Sequence, residues 1–182
     1  MVFEDAVKQV LKDEGGFFHN PKTGEVVNHG ITLKFMKNVV DKNATEDTIK
    51  KLTEEEATKI YKDHFWSASN LNLIKDPKVA SLLFYLGVNM GTPSAAKLAQ
   101  TACFYLGKKV SIDGVLGPAS IEAINAVDAV KLHAAICNLA ESRFKDIAAN
   151  PIQAANLQGW LKRLDRYVND PPVISPIVNI KV

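Results

Sequence analysis

Glu14 is the residue of this chain best placed to do chemistry. Phe3, Val7, Val10 and Leu11 recur at helical spacing, with Glu4 and Asp5 in the first turn, where the helix dipole favours anions. Gly15 and Gly16 then supply a C-terminal cap, because glycine enters the left-handed region without a Cβ clash. Glu14 thus falls in the last turn, where the dipole is negative and disfavours a further negative charge. Phe17 and Phe18 are expected to keep water from it and disfavour ionisation again. A carboxylic acid held neutral near pH 7 is what a general acid needs when it protonates the oxygen of a glycosidic bond. On this pattern alone, a solvated glutamate beside a glycine cap is the plainer reading.

The elements that must hold such an acid are marked by turn and cap signals. Asn20-Pro21 and Thr23-Gly24 read as turns, and Val26-Val27 is a short apolar pair, so a small β-hairpin is expected between helices. Short helices are predicted from Thr32 to Val40 and from Thr45 onward. Thr53 with Glu56 forms a capping box ahead of a face made by Ala57, Ile60, Tyr61, His64 and Phe65. Asp76-Pro77 is an N-cap with proline at the first helical position, and the helix to Met90 is apolar nearly all round, which predicts a buried central helix. Gly91 stops it, and Thr92-Pro93 starts the next, whose Ala95, Ala96, Ala99, Ala102 and Cys103 allow close packing before Gly107 ends it.

Asp113-Gly114 and Gly117-Pro118 bracket a tight turn before a helix carrying Ile121 and Ile124. Residues 129–149 form the longest amphipathic helix, with His133 read as a packed histidine. Asn150-Pro151 breaks it, and Leu157, Trp160, Leu161, Leu164 and Val168 repeat helically in the last. Trp160 is open to two readings, a core ring or a surface for a sugar face. Pro171-Pro172 and the residues after it cannot continue a helix.

Several of these segments together resemble glycoside hydrolase family 108, a group of phage and bacterial N-acetylmuramidases. Glu14-Gly-Gly ends the first helix and Gly30-Ile-Thr32 follows the polar segment. Tyr61 to Trp66 is similar to the family's Tyr-Trp region, and Phe84-Tyr-Leu-Gly-Val-Asn-Met-Gly91 to its Phe-Asp-x-x-Val-Asn-x-Gly. Asp113-Gly-Val-Leu-Gly117 matches Asp-Gly-x-x-Gly, and Gly159-Trp-Leu-Lys-Arg163 matches Gly-Trp-Leu-x-Arg. The resemblance covers about residues 3 to 168. It implies a mainly α, lysozyme-like helical fold with a small β-hairpin after the first helix. It further implies a catalytic lobe over 1–91, a helical lobe resembling a peptidoglycan-binding segment over 92–170, and an extended tail over 171–182.

By this resemblance Glu14 is the general acid for the β-1,4 bond between N-acetylmuramic acid and N-acetylglucosamine. The second carboxylate does not carry over cleanly. Counting back from Gly30, the family's Asp falls near Lys22 or Thr23, its second Gly on Glu25 and its Thr on Val27, while the Asp of the later motif is Tyr85. Glu25 is the nearest acidic candidate across the hairpin, as base or electrostatic stabiliser; Asp13 points off the helix in another direction. Asn28, His29 and Thr32 are candidates to orient water or substrate. Tyr85 and Asn89, one helical turn apart, are candidates to bring polar tips together in a cleft. Two rivals stay open: a single-glutamate lytic transglycosylase, and a non-catalytic wall-binding or secretion-associated module of the same fold.

The chain has 182 residues, 47% of them hydrophobic and 23% charged, with a net charge of +2. That is ordinary for a globular protein and too mildly basic to argue for nucleic acid. No apolar stretch is long enough for membrane insertion, and no secretory pattern opens the chain. The expectation is a monomer made in the cytoplasm of a phage-bearing bacterium, reaching peptidoglycan glycan strands in the periplasm through a separate membrane pore. Cys103 and Cys137 lie in apolar helical patterns and read as buried thiols. Neither a metal nor a cofactor is expected: there is no His-Glu-x-x-His and no Gly-x-Ser-x-Gly.

Overall fold

The computed structural model describes residues 2–21 and 23–172. Lys22 and the greater part of the expected tail, residues 173–182, lie outside the described residues. Contacts divide the chain between Ala68 and Ser69 into two units.

The first unit opens with helix α1 (Val2–Glu14), which buries Phe3, Ala6, Val7, Val10 and Leu11 at the spacing expected. A three-stranded antiparallel sheet follows: β1 (Phe18–His19), β2 (Val26–Asn28) and β3 (Ile31–Thr32). The expected hairpin is therefore two hairpins sharing β2. The β2–β3 register pairs Asn28 with Ile31, leaving a two-residue turn, His29-Gly30. Both residues have positive φ, 50° and 76°, which is the type I′ geometry whose twist suits a hairpin. Val26, Asn28 and Ile31 are buried on one face of the sheet. Phe18, Val27 and Thr32 pair across the strands and share the other.

Thr32 then caps helix α2 (Leu33–Phe35), which runs on as a π-helical turn, Met36–Val40. Helices α3 (Glu46–Lys50) and α4 (Glu54–Tyr61) each begin with a capping box. In the second of these Thr53 Oγ1 accepts from the Glu56 amide at 3.2 Å, and Glu56 Oε2 accepts from the Thr53 amide at 2.9 Å. Donation from the Thr53 amide, and then from the Thr53 hydroxyl at 3.0 Å, holds the Glu56 carboxyl below its ordinary range. Helix α4 also continues as a π-helical turn, Lys62–Ser67. Trp66, on that turn, is buried edge-on against Phe3 of α1, with ring centroids 5.5 Å apart.

The second unit is helical throughout its regular elements. Helix α5 (Pro77–Met90) has its N-terminus capped by Asp76 and buries every residue from Leu82 to Gly87. Helix α6 (Thr92–Tyr105) packs its alanine-rich face beside it. Helices α7 (Pro118–Asn125), α8 (Ala129–Ala148) and α9 (Leu157–Val168) complete the unit, with α8 in contact with α5, α6, α7 and α9. Cys103 and Cys137 are free and buried, and burial pushes each thiol up to about 11. Trp160 is half-buried and stacks on the buried ring of Phe144, with ring centroids 5.3 Å apart.

Candidate active site

Helix α1 ends where glycine allows it to. Gly15 sits at φ +72° with nothing among the described residues within 4 Å of where a Cβ would be, so its role is conformational. Gly30 answers a different demand. It too has positive φ, but a Cβ there would lie 2.8 Å from Glu14 Cγ and 3.0 Å from Glu14 Cβ, and would collide with the Tyr61 hydroxyl. The side chain of Glu14 therefore lies directly on the backbone of the β2–β3 turn, in space that only glycine leaves open.

Tyr61 closes this arrangement from α4. It is fully buried, and its hydroxyl donates to the carbonyl of His29 at 3.0 Å, fixing the turn from outside the sheet. Burial, and then the negative charge of Glu14, push the Tyr61 hydroxyl far above the ordinary tyrosine range. Tyr61 is thus a neutral hydrogen-bond donor at any working pH, within electrostatic reach of the glutamate. The helix end, the glycine turn and the phenol make one cluster inside the first unit.

The remaining site candidates are distributed around and beyond this cluster. His29 is half-buried in the turn itself, with its carbonyl engaged by Tyr61. Asn28 is buried, and its amide group donates to the carbonyls of Ile49 and Leu52 at 3.0 and 3.2 Å. It ties β2 to the C-terminal end of α3 by satisfying carbonyls that a helix end leaves open. Thr32 accepts from the Phe35 amide at 3.1 Å and so starts α2. Its Cα partner Val27 and, beyond that, Phe18 lie on the same sheet face, where Phe18 is exposed.

Glu25 is exposed in the β1–β2 loop, where its carbonyl accepts from Asn20 at 2.8 Å. Its surroundings are a cavity of about 440 Å³ shared with Leu33, Lys34 and Lys37, among others. Glu14 is not among the residues that line that cavity. Tyr85 and Asn89 belong to the second unit. The Tyr85 hydroxyl donates to the Trp160 carbonyl at 3.1 Å, and its ring stacks on Tyr167 at 5.0 Å. The Asn89 amide donates back to the Tyr85 carbonyl at 2.8 Å, and its oxygen accepts from Arg163 at 3.3 Å. The two polar tips do not meet each other. Both are fastened to α9 through Trp160 and Arg163, residues of the Gly-Trp-Leu-Lys-Arg segment.

Phe17 and Phe18 were expected to shield Glu14, yet both are exposed. The aromatic residue that the sequence reading left out of the site is Tyr61. The available signal was a tyrosine on the buried face of α4, since a phenol in a core must find a polar partner. Among the described residues no group of three or more His, Cys, Asp or Glu side chains is placed to hold a metal ion. Among them no helix is long and apolar enough to cross a membrane.

A helix-terminal glutamate is laid on a glycine hairpin turn in a helical fold with one small sheet, an architecture that matches the lysozyme-like helical fold. Residues 7–91 match the model for glycosyl hydrolase 108, and residues 94–165 match a predicted peptidoglycan domain. The first segment is thus similar to the glycosyl hydrolase 108 family, and the pairing of the two segments is that of a peptidoglycan hydrolase. A solved structure, that of SagA from Brucella abortus, has a similar fold: 24% sequence identity, a TM-score of 0.79, and coverage of 92% of each chain. No curated protein matches the chain.

Proposed function

We propose that the chain is an N-acetylmuramidase that cuts the β-1,4 bond between N-acetylmuramic acid and N-acetylglucosamine, with Glu14 as the general acid. The observation that carries this reading is the lodging of Glu14 against Gly30 beneath the Tyr61 hydroxyl. A side chain so confined loses little freedom when it meets a glycan oxygen, and proton transfer depends on that positioning. Glu14 gives its proton to the bridging oxygen, the glycosidic bond breaks toward the leaving 4-hydroxyl, and positive charge develops at the muramic acid C1. Water then adds to C1 and releases a proton. Glu25 is our candidate for the group that stabilises the charge or receives that proton, with Thr32 and His29 beside the strand. Residues 1–91 act as the catalytic lobe and 92–170 as the lobe that holds the wall. The setting we propose is that of an endolysin, acting on the wall after passage through a membrane pore.

One observation favours a second reading. Among the described residues, the cavity that Glu25 lines does not include Glu14, which suits an enzyme that works with a single carboxylate. Such an enzyme would close the muramic acid 6-hydroxyl onto C1 and leave an anhydro sugar. Mass spectrometry of products from purified sacculi separates the two. Hydrated reducing-end muropeptides support the muramidase, anhydro muropeptides support the transglycosylase, and no soluble product overturns both.

A further inference from the structure

We propose that one exposed flank of α6 and its C-terminal cap, carrying Lys97, Phe104, Tyr105 and Lys108, is a binding platform for the anionic glycan strand of peptidoglycan. This deepens the proposed function and rests on it, by naming the residues that grip the wall away from the chemistry.

Lys97, Thr101 and Phe104 are spaced i, i+4, i+7 and so share one flank of the helix, with Tyr105 beside Phe104. The flank from Lys97 to Phe104 is about 10 Å long at 1.5 Å per residue, the order of a disaccharide's length. Phe104 is 57% exposed and Tyr105 71%, with their ring centroids 6.2 Å apart. Two adjacent solvent-facing rings are unusual on a surface with no partner. Gly107, at φ +83°, ends the helix, and the Lys108 amide donates back to the Cys103 carbonyl at 3.0 Å. Lys108 is thereby held at the same end, where its charge is felt by the Cys103 thiol.

The 113–115 turn is fastened along this flank. Gln100 Nε2 donates to Asp113 Oδ1 at 2.8 Å and to the Val115 carbonyl at 3.0 Å, while its oxygen accepts from the Gly114 amide at 2.9 Å. A Cβ on Gly114 would come within 3.2 Å of Lys97 Cε, so the lysine stem lies across the turn. Between Thr92 and Gly117 the cations are Lys97, Lys108 and Lys109, against Asp113 alone. Asp113 is held by Gln100 and by the Val115 amide, which lower its carboxyl below the ordinary range. The surface therefore offers two aromatic faces flanked by cations that outnumber its one carboxylate, Asp113, whose charge Lys97 also feels. Sugar C–H faces stack on such rings, and the lactyl and stem-peptide carboxylates of a glycan strand meet such cations. The flank falls inside the segment that matches a predicted peptidoglycan domain.

The test is cosedimentation of the full chain, carrying Glu14→Gln to prevent digestion, with purified sacculi and separately with phosphatidylglycerol vesicles. The parent is expected to pellet with sacculi and not with vesicles. Phe104→Ala/Tyr105→Ala should weaken sacculus binding about tenfold, from two stacking contacts. Lys97→Gln/Lys108→Gln should flatten its salt dependence. Ile152→Ala, at an 82% exposed site elsewhere in the same unit, should change nothing. Circular dichroism checks that each variant is folded. Sacculus binding of the aromatic double variant equal to that of the parent overturns the proposal, and so does pelleting with vesicles instead of sacculi. If the unsubstituted chain releases no muropeptides, the proposed function fails, while the binding comparison still decides this inference.

Discussion

Replacing Gly30 with alanine should damage the protein twice over, and a second glycine measures the two effects apart. Gly24 and Gly30 have nearly equal backbone angles, φ +70° and +76°. A Cβ in that left-handed region costs roughly 1–2 kcal/mol at either position. At Gly24 nothing among the described residues lies within 4 Å of the new atom, so the penalty should end there. At Gly30 the methyl meets Glu14 Cγ at 2.8 Å, Glu14 Cβ at 3.0 Å and the Tyr61 hydroxyl. Relieving that overlap adds roughly 1–3 kcal/mol of packing strain. Gly30→Ala should therefore unfold in urea with a stability about 1–3 kcal/mol lower than Gly24→Ala, under conditions where both are folded. The displaced glutamate should also lose chemistry, since a shift of about 1 Å in a reacting group costs on the order of 10²-fold in rate. Release of soluble muropeptides from sacculi reads that loss. Equal urea midpoints for the two variants, with full activity in Gly30→Ala, would refute the close approach on which the site is built.

Three further outcomes follow from the same contacts. Tyr61→Phe removes the donor to the His29 carbonyl and should destabilise the chain by about 1 kcal/mol, with reduced muropeptide release; an unchanged melting temperature contradicts this. Glu25→Gln should cost less activity than loss of Glu14, and an equal loss would make Glu25 a full catalytic partner. His133 is buried on α8, its Nε2 lacks a partner among the described residues, and burial holds its pKa below the usual value, with Lys78 acting the same way and Asp76 and Asp170 opposing. Folding then favours neutral imidazole. The unfolded chain binds the extra proton first as pH falls below about 6.5, so stability is complete above that value and declines beneath it. Denaturant melts at about pH 7.5 and pH 5 should show the decline, and His133→Gln should shrink it; an identical decline in the variant assigns it to other groups.

What could be read from the sequence was local. Asp76-Pro77, the Thr53–Glu56 box and Gly107 each mark a helix end through interactions within four residues, and each stands where expected. The buried character of α5 followed from an apolar surface on every side. The site's geometry was legible only in part, because its contacts join distant segments. Glu14 is singled out as a candidate by its position at a helix end, but its neighbour Tyr61 lies 47 residues on, and nothing local says that the phenol reaches the His29 carbonyl. Adjacency in sequence suggests Phe17 and Phe18 for that shielding, yet Phe17 before β1 and Phe18 on it are both exposed. Asn28 has the composition of a substrate ligand, and its link to the end of α3 appears only once β2 is laid beside that helix. Tyr85 and Asn89 share a helical turn, and their partners Trp160 and Arg163 are more than 70 residues away.

The central claim is that Glu14 supplies the proton that breaks the glycan. Muropeptide release from purified sacculi by the wild-type chain and by Glu14→Gln, at matched stability and matched sacculus binding, tests it most directly. Soluble reducing-end products are expected from the wild type, and a loss of at least ~10²-fold in the variant. Release at the wild-type rate by a folded Glu14→Gln protein would contradict it.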